Sequence, residues 1–157
     1  MSFKFEATGL DELMRTLEKA GKSAEEIASR ALYKAAGNVA DSIRKEANGI
    51  KTEKFKYATN GKRRYPSPEE KAAVVGASGI SKFKKDGNSV KTSIGYNNSG
   101  YVSIAGKQKP VALIANSINH GTSFMEKQPY FRKAQSQSKA VEIIKSEIEK
   151  ELDNLLK

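Results

Sequence analysis

The chain has 157 residues, enough for one domain (1–157) with its own hydrophobic core. It has no cysteine and one histidine, which argues against a disulfide framework and against a thiolate-ligated metal site. Its 28 Lys and Arg against 18 Asp and Glu give a formal net charge of +10, which favours anionic partners. No apolar run approaches the roughly 18 residues that span a bilayer, so we expect no membrane contact and a protein that stays in the compartment where it is made.

The first predicted elements are a strand and two helices. Phe3, Phe5 and Ala7 alternate with polar residues, which predicts a short strand that Thr8-Gly9 ends. Helical spacing then predicts a first helix through Leu10, Leu13, Met14 and Leu17. A second, longer helix is predicted from a capping box at Ser23 to Glu26 up to Asn48-Gly49. Its apolar stripe is Ile27, Ala31, Leu32, Ala35, Val39 and Ile43.

Residues 50–71 are predicted to form a basic, mobile loop, because they show no sustained period and include two prolines. Phe55, Tyr57 and Tyr65 lie among the basic residues, so the loop could stack bases and neutralise phosphates. The alternative is a solvated loop that becomes ordered against an acidic protein surface. With a second basic group after residue 80, the candidate contacts to a partner or to DNA are Lys51, Lys54, Lys56, Lys62, Arg63, Arg64, Lys82, Lys84 and Lys85.

The remainder predicts a β region followed by a helix. An apolar run from Val74 to Phe83, a turn signal over 84–88 and alternation from Val90 to Ile94 predict a hairpin. Tyr101 to Ile104 favours another strand, whereas the type of the apolar segment 110–118 stays open. From Pro129 one long helix is predicted nearly to the end. The fold class is therefore α+β, a small antiparallel sheet packed by two N-terminal helices and a long C-terminal helix.

The segment 118–134, INHGTSFMEKQPYFRKA, contains the one histidine and resembles a catalytic site. His120 could act with Ser117 or Ser123, but no Gly-x-Ser-x-Gly elbow is present and no acid is singled out to orient the ring. The stretch Gly76-Ala77-Ser78-Gly79 is not followed by the Gly-Lys-Ser/Thr that completes a phosphate loop, and Gly61-Lys62 leads to Arg63 rather than to a hydroxyl residue. We therefore expect a structural corner without catalytic, cofactor or metal sites, and a hydrolase that uses His120 remains the third-ranked interpretation.

Three stretches together resemble the tail-component family of long-tailed bacteriophages, typified by the gene-ten product of a lambdoid phage. They are the opening Phe3 to Leu13 with its Gly-Leu-Asp-Glu-Leu helix start, the alanine-rich helix around residues 31–36, and His120 to Ala134. Asn119-His120 stands where the family often has a glutamate and an aromatic residue. The motif residues that carry the resemblance are Gly9, Leu10, Leu13, Gly121, Thr122, Gln128, Pro129, Tyr130 and Phe131.

The resemblance implies a structural virion protein rather than an enzyme. It implies a tail-completion or terminator-like neck component that forms a ring, plausibly a hexamer, at the head–tail junction. Its partners would be other copies of itself, the tail tube and the head connector, with DNA passing through the bore. It would be found in the virion, and in the host cytoplasm during assembly. The alternative is a basic nucleic-acid-binding protein that uses the central loops.

The resemblance also gives the corner a structural interpretation. Gly121 permits a tight backbone turn, and Thr122 or Ser123 can form local hydrogen bonds. Gln128 and Pro129 begin the final helix, while Tyr130 and Phe131 hold it against the sheet.

Overall fold

The computed structural model describes residues 2–7, 15, 24–57, 61–86, 89–96 and 99–155, and it has the expected α+β architecture. The helices are α1 (Ala24–Asn48), α2 (Pro68–Ala77), α3 (Val111–His120), α4 (Tyr130–Gln137) and α5 (Ala140–Leu155). The strands are β1 (Ser2–Ala7), β2 (Gly79–Ile80), β3 (Lys84–Asp86), β4 (Ser89–Gly95), β5 (Tyr101–Ile104) and β6 (Lys107–Pro110).

The helix predicted over residues 10–17 lies outside the described residues, apart from Arg15, which is helical. The capping box that starts at Ser23 and the motif residues Gly9, Leu10 and Leu13 lie outside them as well. None of the helices in the described segments combines the length and the apolar character that crossing a bilayer requires.

Strand β4 is the centre of the larger sheet. β1 pairs with it antiparallel along its whole length, from Ser2 opposite Gly95 to Ala7 opposite Val90. On the other side, β2 pairs through Ile80 opposite Ile94, and β3 forms the predicted hairpin with β4. Strands β5 and β6 form a separate two-stranded hairpin with the register Tyr101 to Pro110.

Helix α1 supplies the largest part of the core. All six residues of its predicted stripe are buried, and Ala35, Ala36 and Ile43 are fully buried in the main cluster. Because alanines on this face let another backbone approach closely, the helix can lie directly on β4, where Ile94 is fully buried. The helix ends at Asn48, as its Asn-Gly signal predicts.

Helix α2 was not expected. The prediction placed residues up to about 71 in a loop and treated Val74 and Val75 as part of a β region, but both valines are helical. Ser67 is the N-cap, its hydroxyl accepts the Glu70 amide, and the Glu70 carboxylate accepts the Ser67 amide in return. Pro68 occupies the first turn, where its missing N–H is tolerated.

The long C-terminal helix is present, but it begins at Ala140 rather than at Pro129. The chain bends after α4, where the Ser138 hydroxyl donates to the Gln135 carbonyl and Lys139 adopts a left-handed φ of 47°. Beyond the bend, α5 packs on α1. Two ion pairs join these helices, Arg30 with Glu151 at 3.0 Å and Lys34 with Glu147 at 2.7 Å. The sequence predicts one continuous helix in this segment, whereas in the structure the helix breaks and its second part packs on α1.

Candidate functional site

The corner, residues 118–131, begins where α3 ends. Gly121 has a φ of 74° and donates its amide to the Ser117 carbonyl at 2.9 Å. A Cβ at this position would lie 3.0 Å from Cβ of Lys127 and 3.3 Å from its backbone. Both the left-handed conformation and the close approach of Lys127 therefore require glycine here.

Thr122 closes a local turn. Its hydroxyl oxygen accepts the amides of Phe124 at 3.3 Å and Met125 at 3.0 Å, and its own amide donates to the Met125 carbonyl. Ser123, the alternative hydroxyl at this turn, is exposed. This pattern is the side-chain mimicry of a backbone turn that threonine supports.

Gln128 joins the corner to the end of α1. Its carboxamide oxygen accepts the Lys51 amide at 2.8 Å, and its Nε2 donates to the Lys51 carbonyl at 3.1 Å. Its own amide donates to the Ile118 carbonyl at 2.7 Å, which folds the chain back on α3. Pro129 is the N-cap of α4. The sequence predicts this proline at the first helical position, which Tyr130 occupies instead.

Asn119 has a role that the sequence did not reveal. It is buried, and its Oδ1 accepts the Phe131 amide at 3.1 Å in the first turn of α4. Its Nδ2 lies 3.2 Å from Nε2 of His120. The end of one helix therefore supplies the acceptor that satisfies a free donor at the start of another. Asparagine is a common capping residue, but a partner 12 residues away in the chain gives no local signal.

Arg64 is the one predicted surface contact whose side chain the structure buries. It is 4% exposed and its guanidinium donates to both carboxylate oxygens of Glu70, at 2.6 and 2.7 Å. Lys109 lies 3.4 Å from the same carboxylate. Burial alone would raise the pKa of Glu70. The hydrogen bonds from Arg64 and from the Ser67 amide, together with the positive charges of Arg64 and Lys109, outweigh burial and hold this pKa below its usual value. The guanidinium is therefore committed to the interior and is withdrawn from the candidate contact surface.

The backbone of Arg64 also bonds to the corner. Its amide donates to the Phe124 carbonyl and its carbonyl accepts the Glu126 amide, both at 2.9 Å. The Arg64 guanidinium and the Lys109 ammonium lie 5.1 and 5.3 Å from the centroid of the Phe55 ring. Phe55 therefore stacks with cations of its own chain, and it is a poorer platform for a nucleobase than the sequence suggests.

The other candidate basic contacts remain at the surface. Lys56 pairs with Glu53 at 2.8 Å, and the side chain of Lys85 lies outside the described part of the structure. Exposed cations that remain candidates for a partner or for DNA are Lys51, Lys54, Lys56, Lys62, Arg63, Lys82 and Lys84. They lie on two segments, 51–63 and 82–84, so the basic character of the middle of the chain is a surface property.

Tyr130 and Phe131 anchor α4 in the core, and both are 3% exposed. The Phe131 ring lies 6.0 Å from that of Tyr96 and meets the Tyr130 ring edge-on at 6.3 Å. Apart from each other, the hydroxyls of Tyr96 and Tyr130 have no hydrogen-bonding partner among the described residues. Burial raises the pKa of Tyr96 to about 12 and raises that of Tyr130 further above its usual range.

The chemistry available around His120 is limited. The ring is exposed and its neighbour is the Asn119 amide, which is itself committed to Phe131. In the segments that the structure describes, His, Asp and Glu side chains form no group of three or more that could hold a metal ion. The corner joins α3 and α4 to Lys51 and Arg64 by main-chain and amide hydrogen bonds.

Two exposed surfaces with apolar side chains lie on different elements of the described structure. The groove is a depression of about 420 Å³ between α1 and the segment 78–83, lined by Tyr33, Gly37, Ile80 and Phe83 together with polar residues that include Asp41, Arg44 and Lys82. The patch is the pair of side chains Tyr101 on β5 and Leu113 on α3, which are 72% and 58% exposed and lie on segments joined by the backbone hydrogen bond from Val111 to Gly100. Contiguous exposed apolar surface is a usual mark of a protein interface, whereas single exposed apolar residues are common.

The described residues form an α+β fold whose corner is joined by main-chain and amide hydrogen bonds. The chain belongs to the HK97-gp10-like family, because residues 11–121 match the family model described as "Bacteriophage HK97-gp10, putative tail-component". The family consists of structural phage tail components and not enzymes, which places the protein in the virion. The matched range includes Leu13 and Gly121 but ends before the rest of the corner. No curated protein and no solved structure gave a significant match.

Proposed function

We propose that the protein is a tail-completion or terminator-like neck component that forms a ring, plausibly hexameric, at the head–tail junction. It assembles from the host cytoplasm onto the tail tube and the head connector. The proposal of a ring rests on the presence of two different surfaces with exposed apolar side chains, the groove and the patch. A head-to-tail contact needs two unlike surfaces on each subunit, and such a contact generates a ring when the rotation closes.

The groove is shaped to receive another chain. A Cβ added at Gly37 or at Gly79 would meet no atom within 4 Å, so both glycines leave open space there. The rings of Tyr33 and Phe83 lie in the lining with centroids 6.1 Å apart, and Ile80 is also part of the lining. The patch residues Tyr101 and Leu113 present the apolar side chains that would fill this space.

The test uses one blocking variant for each surface. Gly37→Glu places a charge in the groove without a clash, and glutamate is a better helix former than glycine, so the fold should persist. Leu113→Glu places a charge in the patch. Each variant alone should fail to form rings. Mixed together, they should stop at a dimer, because one intact groove meets one intact patch and no further contact can form.

Matched controls lie on the same helices. Asn38→Glu and Asn116→Glu add the same charge at exposed positions next to the blocked ones and should assemble as the parent does. Mass measured by light scattering distinguishes the outcomes. If the mixed variants form larger assemblies, or if both controls also fail, the head-to-tail contact between groove and patch is wrong.

DNA passage through the bore is part of the proposal, and the exposed cations on 51–63 support it. Lys54, Lys62 and Arg63 are exposed, and basic side chains that face phosphate give binding that weakens steeply with salt. Replacing these three by glutamine should flatten the salt dependence of DNA binding and leave ring mass unchanged. Tight DNA binding by the monomer, with no ring under any condition, would instead favour the nucleic-acid-binding alternative.

A further inference from the structure

The bend between α4 and α5 is the place where local sequence and structure disagree. Residues 130–155 contain neither glycine nor proline, and their apolar residues follow one helical stripe. The structure nevertheless breaks the helix at Ser138, and Lys139 adopts a φ of 47°. A left-handed lysine is unfavourable by about 1–2 kcal/mol, so the bend stores strain that a straight helix would release.

Val141 shows what the bend leaves uncovered. It lies seven residues after Ala134, and positions seven apart share a face of a helix. In the bent form Ala134 is fully buried while Val141 is 65% exposed. If residues 138–139 became helical, Val141 would return to the face that Ala134 and Phe131 occupy.

The surface that α5 covers suits an α5 from either the same chain or a second copy. Arg30 and Lys34 on α1 hold Glu151 and Glu147, and all four residues lie on helices that would survive a change at the bend. Among the described side chains of α5, Ile143 and Ile144 pack against the core and are half-buried. Release of α5 would uncover them together with the part of α1 on which α5 packs, and α5 of a second copy would restore the same apolar contacts and ion pairs.

We propose that α5 is an exchangeable arm: the 138–139 bend straightens, α4 and α5 merge into one helix, and α5 docks on α1 of the next subunit. This proposal rests on the ring proposed above and adds the element that links its subunits. The contacts made in exchange equal those lost, so straightening of the bend favours the exchange and the loss of subunit freedom opposes it. The linkage is therefore weak in dilute protein and forms on concentration.

Because the chain has no natural cysteine, single introduced cysteines report the exchange directly. Chains carrying Lys34→Cys alone are mixed with chains carrying Glu147→Cys alone and treated with a short bismaleimide. A chain with a single cysteine cannot cross-link internally, so every cross-linked dimer joins two chains, and an α5 docked on a different chain raises the yield above that of random encounters. Lys133→Cys in place of Glu147→Cys measures random encounters from an exposed position. We expect a cross-linked dimer whose yield rises with concentration and exceeds that control.

Lys139→Gly tests the bend, because glycine adopts the left-handed conformation without strain and disfavours a continuous helix. Lys139→Ala is the matched control, since alanine keeps the strain of a left-handed residue. Lys139→Gly should lower the cross-link yield at least about fivefold, the factor that corresponds to 1 kcal/mol. Lys139→Ala should stay close to the parent. Rings that form without any cross-link between chains overturn the arm exchange and leave the ring intact. Absence of any assembly overturns both, and an unchanged yield in Lys139→Gly overturns the hinge.

Discussion

The guanidinium of Arg64 forms two hydrogen bonds to the Glu70 carboxylate, at 2.6 and 2.7 Å, with both side chains buried beside the corner. This pair connects the N-terminus of α2 to the 122–126 turn, because the Arg64 backbone bonds to Phe124 and Glu126. Loss of Arg64 leaves the buried Glu70 carboxylate with only the Ser67 amide and Lys109, at 3.4 Å, as described partners. Removal of one partner of such a buried pair is strongly destabilising.

Arg64→Met should destabilise the protein by about 3–5 kcal/mol, because it leaves the buried Glu70 carboxylate without its main partner. Glu70→Gln added to Arg64→Met should recover a large part of this loss, since glutamine keeps the capping box and carries no charge. Urea unfolding at constant slope measures both changes. Lys56→Met, which removes an exposed pair with Glu53, is the control and should leave the urea midpoint close to that of the parent. Equal effects of Arg64→Met and Lys56→Met would contradict the assignment.

Acid should destabilise the parent through Glu70. Its pKa in the folded state lies below the unfolded value of 4.5, so its contribution is present above that pH and is lost as pH falls through the folded pKa. The double variant Arg64→Met with Glu70→Gln lacks this carboxylate and should lose less stability over the same range. Urea midpoints between neutral pH and about pH 3 measure the difference. Parallel pH profiles would show that Glu70 does not couple to folding.

Asn119→Ala should cost about 1–2 kcal/mol, because it removes the acceptor for the Phe131 amide and leaves that donor buried. Asn119→Asp retains an acceptor oxygen and should cost less. His120→Ala changes the adjacent exposed ring and should leave stability within about 0.5 kcal/mol. Thermal melts of the three variants rank them. A loss in His120→Ala as large as that in Asn119→Ala would give the histidine a structural role.

Phe131→Ala should cost about 3–5 kcal/mol, since it removes a ring buried against Tyr96. Helix geometry by itself predicts a smaller role for Tyr130, one position further round, but Tyr130 is equally buried. Tyr130→Phe should change stability by about 1 kcal/mol or less, because the Tyr96 hydroxyl is the one described group beside this buried hydroxyl. A clear loss in Tyr130→Phe would show that this hydroxyl has a partner in solution.

Patterns with a strong period predict this fold well. The α1 stripe from Ile27 to Ile43 is entirely buried, and the turn signal before Val90 lies in the β3–β4 hairpin. Helix α2 had a signal of its own: Ser67 and Glu70 have the spacing of a capping box. Two prolines and the basic residues before them obscured it, because both are typical of loops.

The rest depended on contacts between distant residues. A sequence does not distinguish Arg64, which is buried on Glu70, from Arg63, which is exposed. Nor does it show that Asn119 caps α4, or that the helix breaks at Lys139 where neither glycine nor proline is present. Each of these features depends on tertiary contacts, which local propensity does not determine. The mobility expected for 50–71 stays a prediction, although Glu53, Arg64 and Pro66 make ordered hydrogen bonds.

Sedimentation velocity of the parent over a wide concentration range measures whether the protein closes a head-to-tail ring. We expect monomers or small oligomers in dilute protein, and a closed ring of six subunits when the protein is concentrated or when tail tubes are present. A tight dimer at every concentration would contradict it, because a two-fold contact uses the same surface on both subunits and leaves no separate groove and patch to continue the ring.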